Sequence, residues 1–96
     1  MIVLSFNIRG LGGGVKMRRI RELVREFNVD FLAIQETKLE VVSAKICYSL
    51  WSSEDCNWAF IPSEGASGGI LSIWGKKNSN LIFTFMGEGF VGVCLE

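Results

Sequence analysis

The 96-residue chain has no histidine, no surplus of either charge and no long apolar run. Without histidine, and with Cys47, Cys56 and Cys94 forming no Cys-x-x-Cys pair, a zinc site is excluded. An odd number of cysteines, outside any disulfide framework, points to reduced buried thiols in an intracellular protein, nuclear or cytoplasmic. Ten basic residues balance ten acidic ones, so net charge draws the chain neither to nucleic acid nor to a lipid surface. No stretch approaches the ~20 apolar residues of a membrane span. "MIVLSFNIRG" lacks a basic leader and its apolar run is too short for a signal peptide, so secretion is not expected.

What is present is apolar. Residues of that kind make up 49% of the chain, and the mean hydropathy is +0.33. One domain is the ceiling at this length, and small domains need a large polar exterior. Either the core is very compact, or a face is normally buried against something else.

"IVLSFN" (2–7) is β-branched and aromatic, as in a buried strand. "RGLGGG" (9–14) reads as a loop. In "VKMRRIRELVREFNVD", Met17, Ile20, Leu23, Val24 and Phe27 recur at helical spacing, and Asn28 suits a C-terminal stop. Arg18, Arg19, Arg21, Glu22, Arg25 and Glu26 fill the opposite face, with pairing such as Arg18–Glu22 expected. "DFLAIQE" is a second strand, which completes a βαβ unit with two parallel strands. Beyond it, 41–51 is expected as a short helix, and "WAFIP" (58–62) and "GILSIWG" (69–75) as strands. "NLIFTFMGEGFVGVCLE" reads as a hairpin turning at Gly87-Glu88-Gly89. The expected order is one βαβ unit, then an antiparallel meander.

Parallel neighbours place their last residues side by side, and in open α/β sheets functional groups collect at those carboxyl ends. Here the residues are Asn7 and Glu36, with Gln35 and Thr37 adjacent. Such an oxygen-rich spot suits a hard cation such as Mg²⁺, which keeps several waters and takes one or two carboxylates from protein. An Asn amide can also donate to a phosphate oxygen. The same pattern is equally consistent with Glu36 exposed at a strand end and Asn7 capping a turn. "GLGGGVK" lies between strand and helix, but Val15 and Met17 around Lys16 break the phosphate-loop pattern. A dinucleotide fingerprint fits Gly10 and Gly12 but not Val15, and the chain does not continue in βαβ units. The arginine-rich helix could meet a nucleic-acid backbone, although Glu22 and Glu26 interleave with its arginines.

Three stretches carry a family likeness: "LSFNIRGLG" with Lys16 and Arg19 in the following helix, then "DFLAIQETK", then "SGGILSIW". They resemble the start of the endonuclease/exonuclease/phosphatase superfamily. The wording is nearest to the apurinic-endonuclease-like domains of plant non-LTR (LINE-type) retrotransposons. The motifs stand in the family order and together span about 75 of the 96 residues.

The resemblance implies a four-layer αββα sandwich, of which this α/β chain is the N-terminal half. It implies Mg²⁺-dependent hydrolysis of a DNA phosphodiester, with Mn²⁺ as the alternative ion, leaving a 3′-hydroxyl that primes reverse transcription. By the same resemblance Asn7 orients the phosphate and Glu36 binds the metal. The family's second half supplies a tyrosine, an Asp-x-Asn motif and an Asp-His pair. Tyr48, Asp30 and Asp55 match none of those positions. Residues 1–96 therefore read as one partial domain, truncated on its C-terminal side: a gene remnant, a truncated gene model or a degraded element. It is expected to be inactive alone and only marginally stable. Half a sandwich would leave "LIFTFM" and "FVGVCL" partly uncovered, which favours self-association or pairing with another chain as the alternative, non-catalytic reading.

Overall fold

A computed structural model describes residues 2–65, 67–76, 81–87 and 90–95, the last two stretches as backbone only. β1 (Val3–Asn7), α1 (Gly14–Phe27) and β2 (Phe31–Gln35) form the expected βαβ unit. β1 and β2 pair in parallel, from Val3 opposite Phe31 to Asn7 opposite Gln35. At the start of this ladder Asp30 Oδ2 accepts from the Ile2 N–H at 2.7 Å, and Ile2 O accepts from the Asp30 N–H at 2.8 Å. A short edge strand is thus tied before its first registered pair.

α1 stops where the sequence places a stop. Asn28 adopts a left-handed backbone with φ 51°, and the N–H groups at the turn bond back to Arg25 O and Val24 O. That conformation is tolerated by Asn and closes the last helical turn. Ile20 and Val24 are buried, but Phe27, expected on the same stripe, is 50% exposed. It is the last residue of the helix. The ion pair on the outer face is Arg19–Glu22 at 3.6 Å rather than Arg18–Glu22. With both side chains mostly exposed it contributes at most about 1 kcal/mol.

α2 (Ala44–Trp51) begins at Ser43, whose Oγ accepts from the Ile46 N–H at 3.3 Å. Such a cap is worth about 1 kcal/mol. β3 (Cys56–Ile61) and β4 (Ile70–Gly75) then form an antiparallel pair. β4, not β3, lies next to β2, giving the order β1-β2-β4-β3. The reason is compositional. β4 carries apolar side chains on both faces and is buried along most of its length, as suits an inner strand. β3 carries Asn57, Trp58 and partly exposed residues, as suits an edge.

Registered pairs Ile34–Leu71 and Leu32–Ile73 form the centre of the sheet under the two helices, and all four side chains are fully buried. Each contributes roughly 1.5–3 kcal/mol through burial. Cys47 and Cys56 are buried in the same core as free thiols. Burial, then the neighbouring Cys56, pushes the Cys47 thiol up to about 12, so it stays protonated and unreactive. On the other face Phe31 stacks on Trp74, with centroids 6.2 Å apart and planes 9° from parallel.

β5 (Leu81–Gly87) and β6 (Phe90–Leu95) form the expected hairpin as a separate two-stranded sheet, and β6 comes against β3 and β4. The exposure expected for "LIFTFM" and "FVGVCL", the turn residues Glu88 and Gly89, and the Cys94 side chain lie outside the described residues. No helix among the described residues is long and apolar enough to cross a membrane.

Gly69 is the tightest backbone position. Its φ is +93°, and a Cβ there would collide with Thr37 Oγ1 and crowd the Lys38 backbone N–H. Gly69→Ala is expected to cost about 2–4 kcal/mol, from overpacking and a left-handed backbone together. Gly12→Ala, at a site with open space, should stay within about 0.5 kcal/mol. Urea unfolding of the two variants checks the contrast.

Candidate active site

The ladder between β1 and β2 does not stop at the last registered pair. Gln35 O accepts from the Ile8 N–H at 3.0 Å, Glu36 O from the Gly10 N–H at 2.7 Å, and Thr37 O from the Leu11 N–H at 2.8 Å. On the other flank the Thr37 N–H donates to Gly69 O at 3.1 Å and the Lys38 N–H to Gly68 O at 2.8 Å. The segment 35–38 is therefore gripped from both sides. Its backbone is unusual: Glu36 and Lys38 are both left-handed, at φ 55° and 57°. Each such non-glycine residue costs about 1–2 kcal/mol, and the surrounding hydrogen bonds hold it there. Thr37 between them is buried, and its Oγ1 accepts from the Leu39 N–H.

Asn7 and Gln35 are a registered pair of parallel strands, so both side chains leave the sheet on the face away from the helices. Glu36 follows at once. All three are exposed. Among the described residues nothing pairs with the Glu36 carboxylate. Glu36 and Gln35 line a cleft of about 530 Å³ together with Pro62, Glu64, Ser67 and Ile70. Asn7 lies opposite Gln35, the residue before Glu36, and does not line this cleft. No cluster of three or more His, Cys, Asp or Glu exists among the described residues. The donors at hand are thus oxygens from one unpaired carboxylate, a second carboxylate across the cleft and amides.

Glu64 and Ser67 were not legible as cleft residues in a turn that reads only as polar and glycine-bearing. The strand order supplies the missing signal. β4 runs antiparallel to β2, so the turn before β4 must lie beside the carboxyl end of β2.

Lys16 resolves the glycine loop. Its Nζ donates to Ile8 O at 3.1 Å, Arg9 O at 3.4 Å and Gly10 O at 3.1 Å. The ammonium spends its donors on the loop's carbonyls and holds the chain reversal in place, leaving no phosphate cradle. Tyr48 is likewise structural: it meets Trp58 edge-on at 5.7 Å.

Residues 4–94 match the Endonuclease/Exonuclease/phosphatase family. The chain belongs to this family. No curated protein sequence matches it. Among solved structures it is similar to the crystal structure of the AP endonuclease LMAP from Leishmania major, with a TM-score of 0.61 and 22% identity over 80% of this chain. It is also similar to the catalytic domain of APE2 from Xenopus laevis, with a TM-score of 0.57 and 21% identity over 91% of this chain. The chain spans about a quarter of each, 24% and 27%. These likenesses confirm the α/β fold.

Lys16→Met removes the donor for three carbonyls. Unfolding stability should drop by about 1 kcal/mol, the solvent-exposed end of the range for charged hydrogen bonds. Hydrogen exchange should quicken in 8–13 before it does in β1 and β2. Stabilisation of the native chain by inorganic phosphate, lost in this variant, would instead restore the phosphate-loop reading.

Proposed function

We propose that residues 1–96 form the metal- and phosphate-binding portion of a Mg²⁺-dependent phosphodiester hydrolase that nicks DNA, of the retrotransposon type. The observation that carries this reading is the Asn7–Gln35 register in parallel strands, which sets Asn7 opposite the residue before Glu36 at one sheet end. Membership of the family supports it, as does the motif wording of "LSFNIRGLG", "DFLAIQETK" and "SGGILSIW".

Glu36 would hold the ion, and its donor set fits. The carboxylate is exposed and unpaired among the described residues, and Mg²⁺ accepts one or two carboxylates with water completing its shell. When bound, the ion supplies charge stabilisation at the phosphoryl oxygens. The Asn7 amide orients the phosphate by donating to a non-bridging oxygen. Gln35, on the same face as Asn7, supplies a second amide to the same region. The strained backbone at Glu36 aims the carboxylate without relying on side-chain contacts.

Phosphodiester hydrolysis also needs a positioned water. One carboxylate and one amide cannot place the water, the phosphate and the metal together, so the chain is read as part of a larger domain and inactive by itself. The quarter-length match to the AP endonucleases supports that reading. Mg²⁺ titration followed by amide NMR should shift Gln35–Lys38 and Asn7, and Glu36→Gln should abolish those shifts with the spectrum otherwise folded. Shifts that persist in the variant would overturn the metal assignment. Plasmid nicking by the 96-residue chain should be absent with or without Mg²⁺.

A second reading is a non-catalytic module that self-associates. It is favoured by β1, an edge strand whose first residue Val3 is 58% exposed, with Ile2 just before it 46% exposed, and which no lysine, proline or bulge protects. Sedimentation velocity would then show concentration-dependent dimers, weakened by Val3→Lys, with no response to Mg²⁺ at Glu36.

A further inference from the structure

The outer face of α1 carries charge that the cleft does not use. Arg18, Arg21 and Arg25 fall on one stripe of the helix at i, i+3 and i+7. With Glu22 they surround a surface hollow of about 370 Å³. Glu22 is the only carboxylate of that hollow, and it is paired with Arg19, which stands outside it. Arg21 donates to Ser49 Oγ on α2 at 3.4 Å, which leaves most of its fork free. The guanidiniums of Arg18 and Arg25 have no ion-pair partner among the described residues.

We propose that this arginine row is a nucleic-acid backbone contact, separate from the cleft at Glu36. From residue 18 to residue 25 the helix rises about 10 Å, at 1.5 Å per residue. Over that length each strand of a B-form duplex passes about three phosphates along the helix axis, at about 3.4 Å per strand. Three guanidiniums therefore meet about three phosphates, and the planar fork suits phosphate oxygens better than an ammonium would. The row lies in the helical layer, whereas the cleft lies at the sheet end and the turn before β4. A strand held on α1 would add affinity without sequence preference. The choice of nucleic acid over another polyanion rests on the family reading, but the contact does not require metal at Glu36.

Fluorescence anisotropy of a labelled duplex oligonucleotide with the 96-residue chain tests this, in EDTA to remove any metal contribution from the cleft. Three phosphate contacts give a salt slope of about −2.7, so affinity should fall about 40-fold from about 50 to about 200 mM salt. The triple variant Arg18→Gln, Arg21→Gln, Arg25→Gln should lose that dependence, and the matching triple lysine variant should keep it. Glu22→Gln should tighten binding, because it removes the one negative charge in the row. If the glutamine variant does not fold, Glu22→Gln decides alone: unchanged or weaker binding overturns the proposal. Equal affinity for poly-glutamate of matched charge would also overturn it, by assigning the face to acidic protein. Failure here with intact Mg²⁺ shifts at Glu36 would leave the cleft reading standing, and the converse result would leave this one.

Discussion

The grip on residues 35–38 is the constraint from which the rest of the site follows. Five backbone hydrogen bonds clamp this segment between 8–11 on one side and 68–69 on the other. The clamp overrides local preference at Glu36 and Lys38, which sit in backbone conformations that only glycine adopts freely. Gly69 permits it, since any side chain there would strike Thr37. Lys16 supports it from below by fixing the carbonyls of 8–10. An acid at the end of a core strand is thereby fixed by its backbone, with no partner for its carboxylate among the described residues. That division of labour suits a ligand that brings its own water.

Much of the fold was legible because its signals are local. The helical stripe of Ile20 and Val24, the Asn28 stop, the short helix ending at Trp51 and the strand after Asp30 each follow from residue type and spacing. The βαβ unit then fixed which strands run parallel, and so which residues stand at the carboxyl ends of β1 and β2. What was not legible depends on partners distant in sequence. The insertion of β4 between β2 and β3 is decided by which strand can bury both faces, and that becomes visible only when strands compete for one position. The burial of Thr37, the close approach of Gly69 and the position of Glu64 on the cleft all follow from that insertion. Lys16 was ambiguous for a different reason. A lysine after a glycine loop serves a phosphate or the loop's own carbonyls, and only geometry separates the two.

The high apolar content has two outlets. Part fills a core under the helices that is closed by Leu32, Ile34, Leu71 and Ile73. Part sits at the start of β1, where Val3 and the preceding Ile2 remain exposed beside an unpaired strand edge. A chain that aligns with a quarter of the AP endonuclease structures, and shows an open edge on the strand that carries Asn7, has its candidate chemistry next to its least protected boundary. Whatever covers that edge would border Asn7.

The central claim is that the parallel β1–β2 ladder sets an amide and an unpaired carboxylate side by side around one divalent ion. Anomalous scattering from crystals of the chain grown in Mn²⁺ tests it most directly. The account predicts a single peak within coordination distance of the Glu36 carboxylate, with the Asn7 side chain on the same side of the sheet end. A peak elsewhere, or Glu36 turned away from Asn7 with no ion bound, would contradict it.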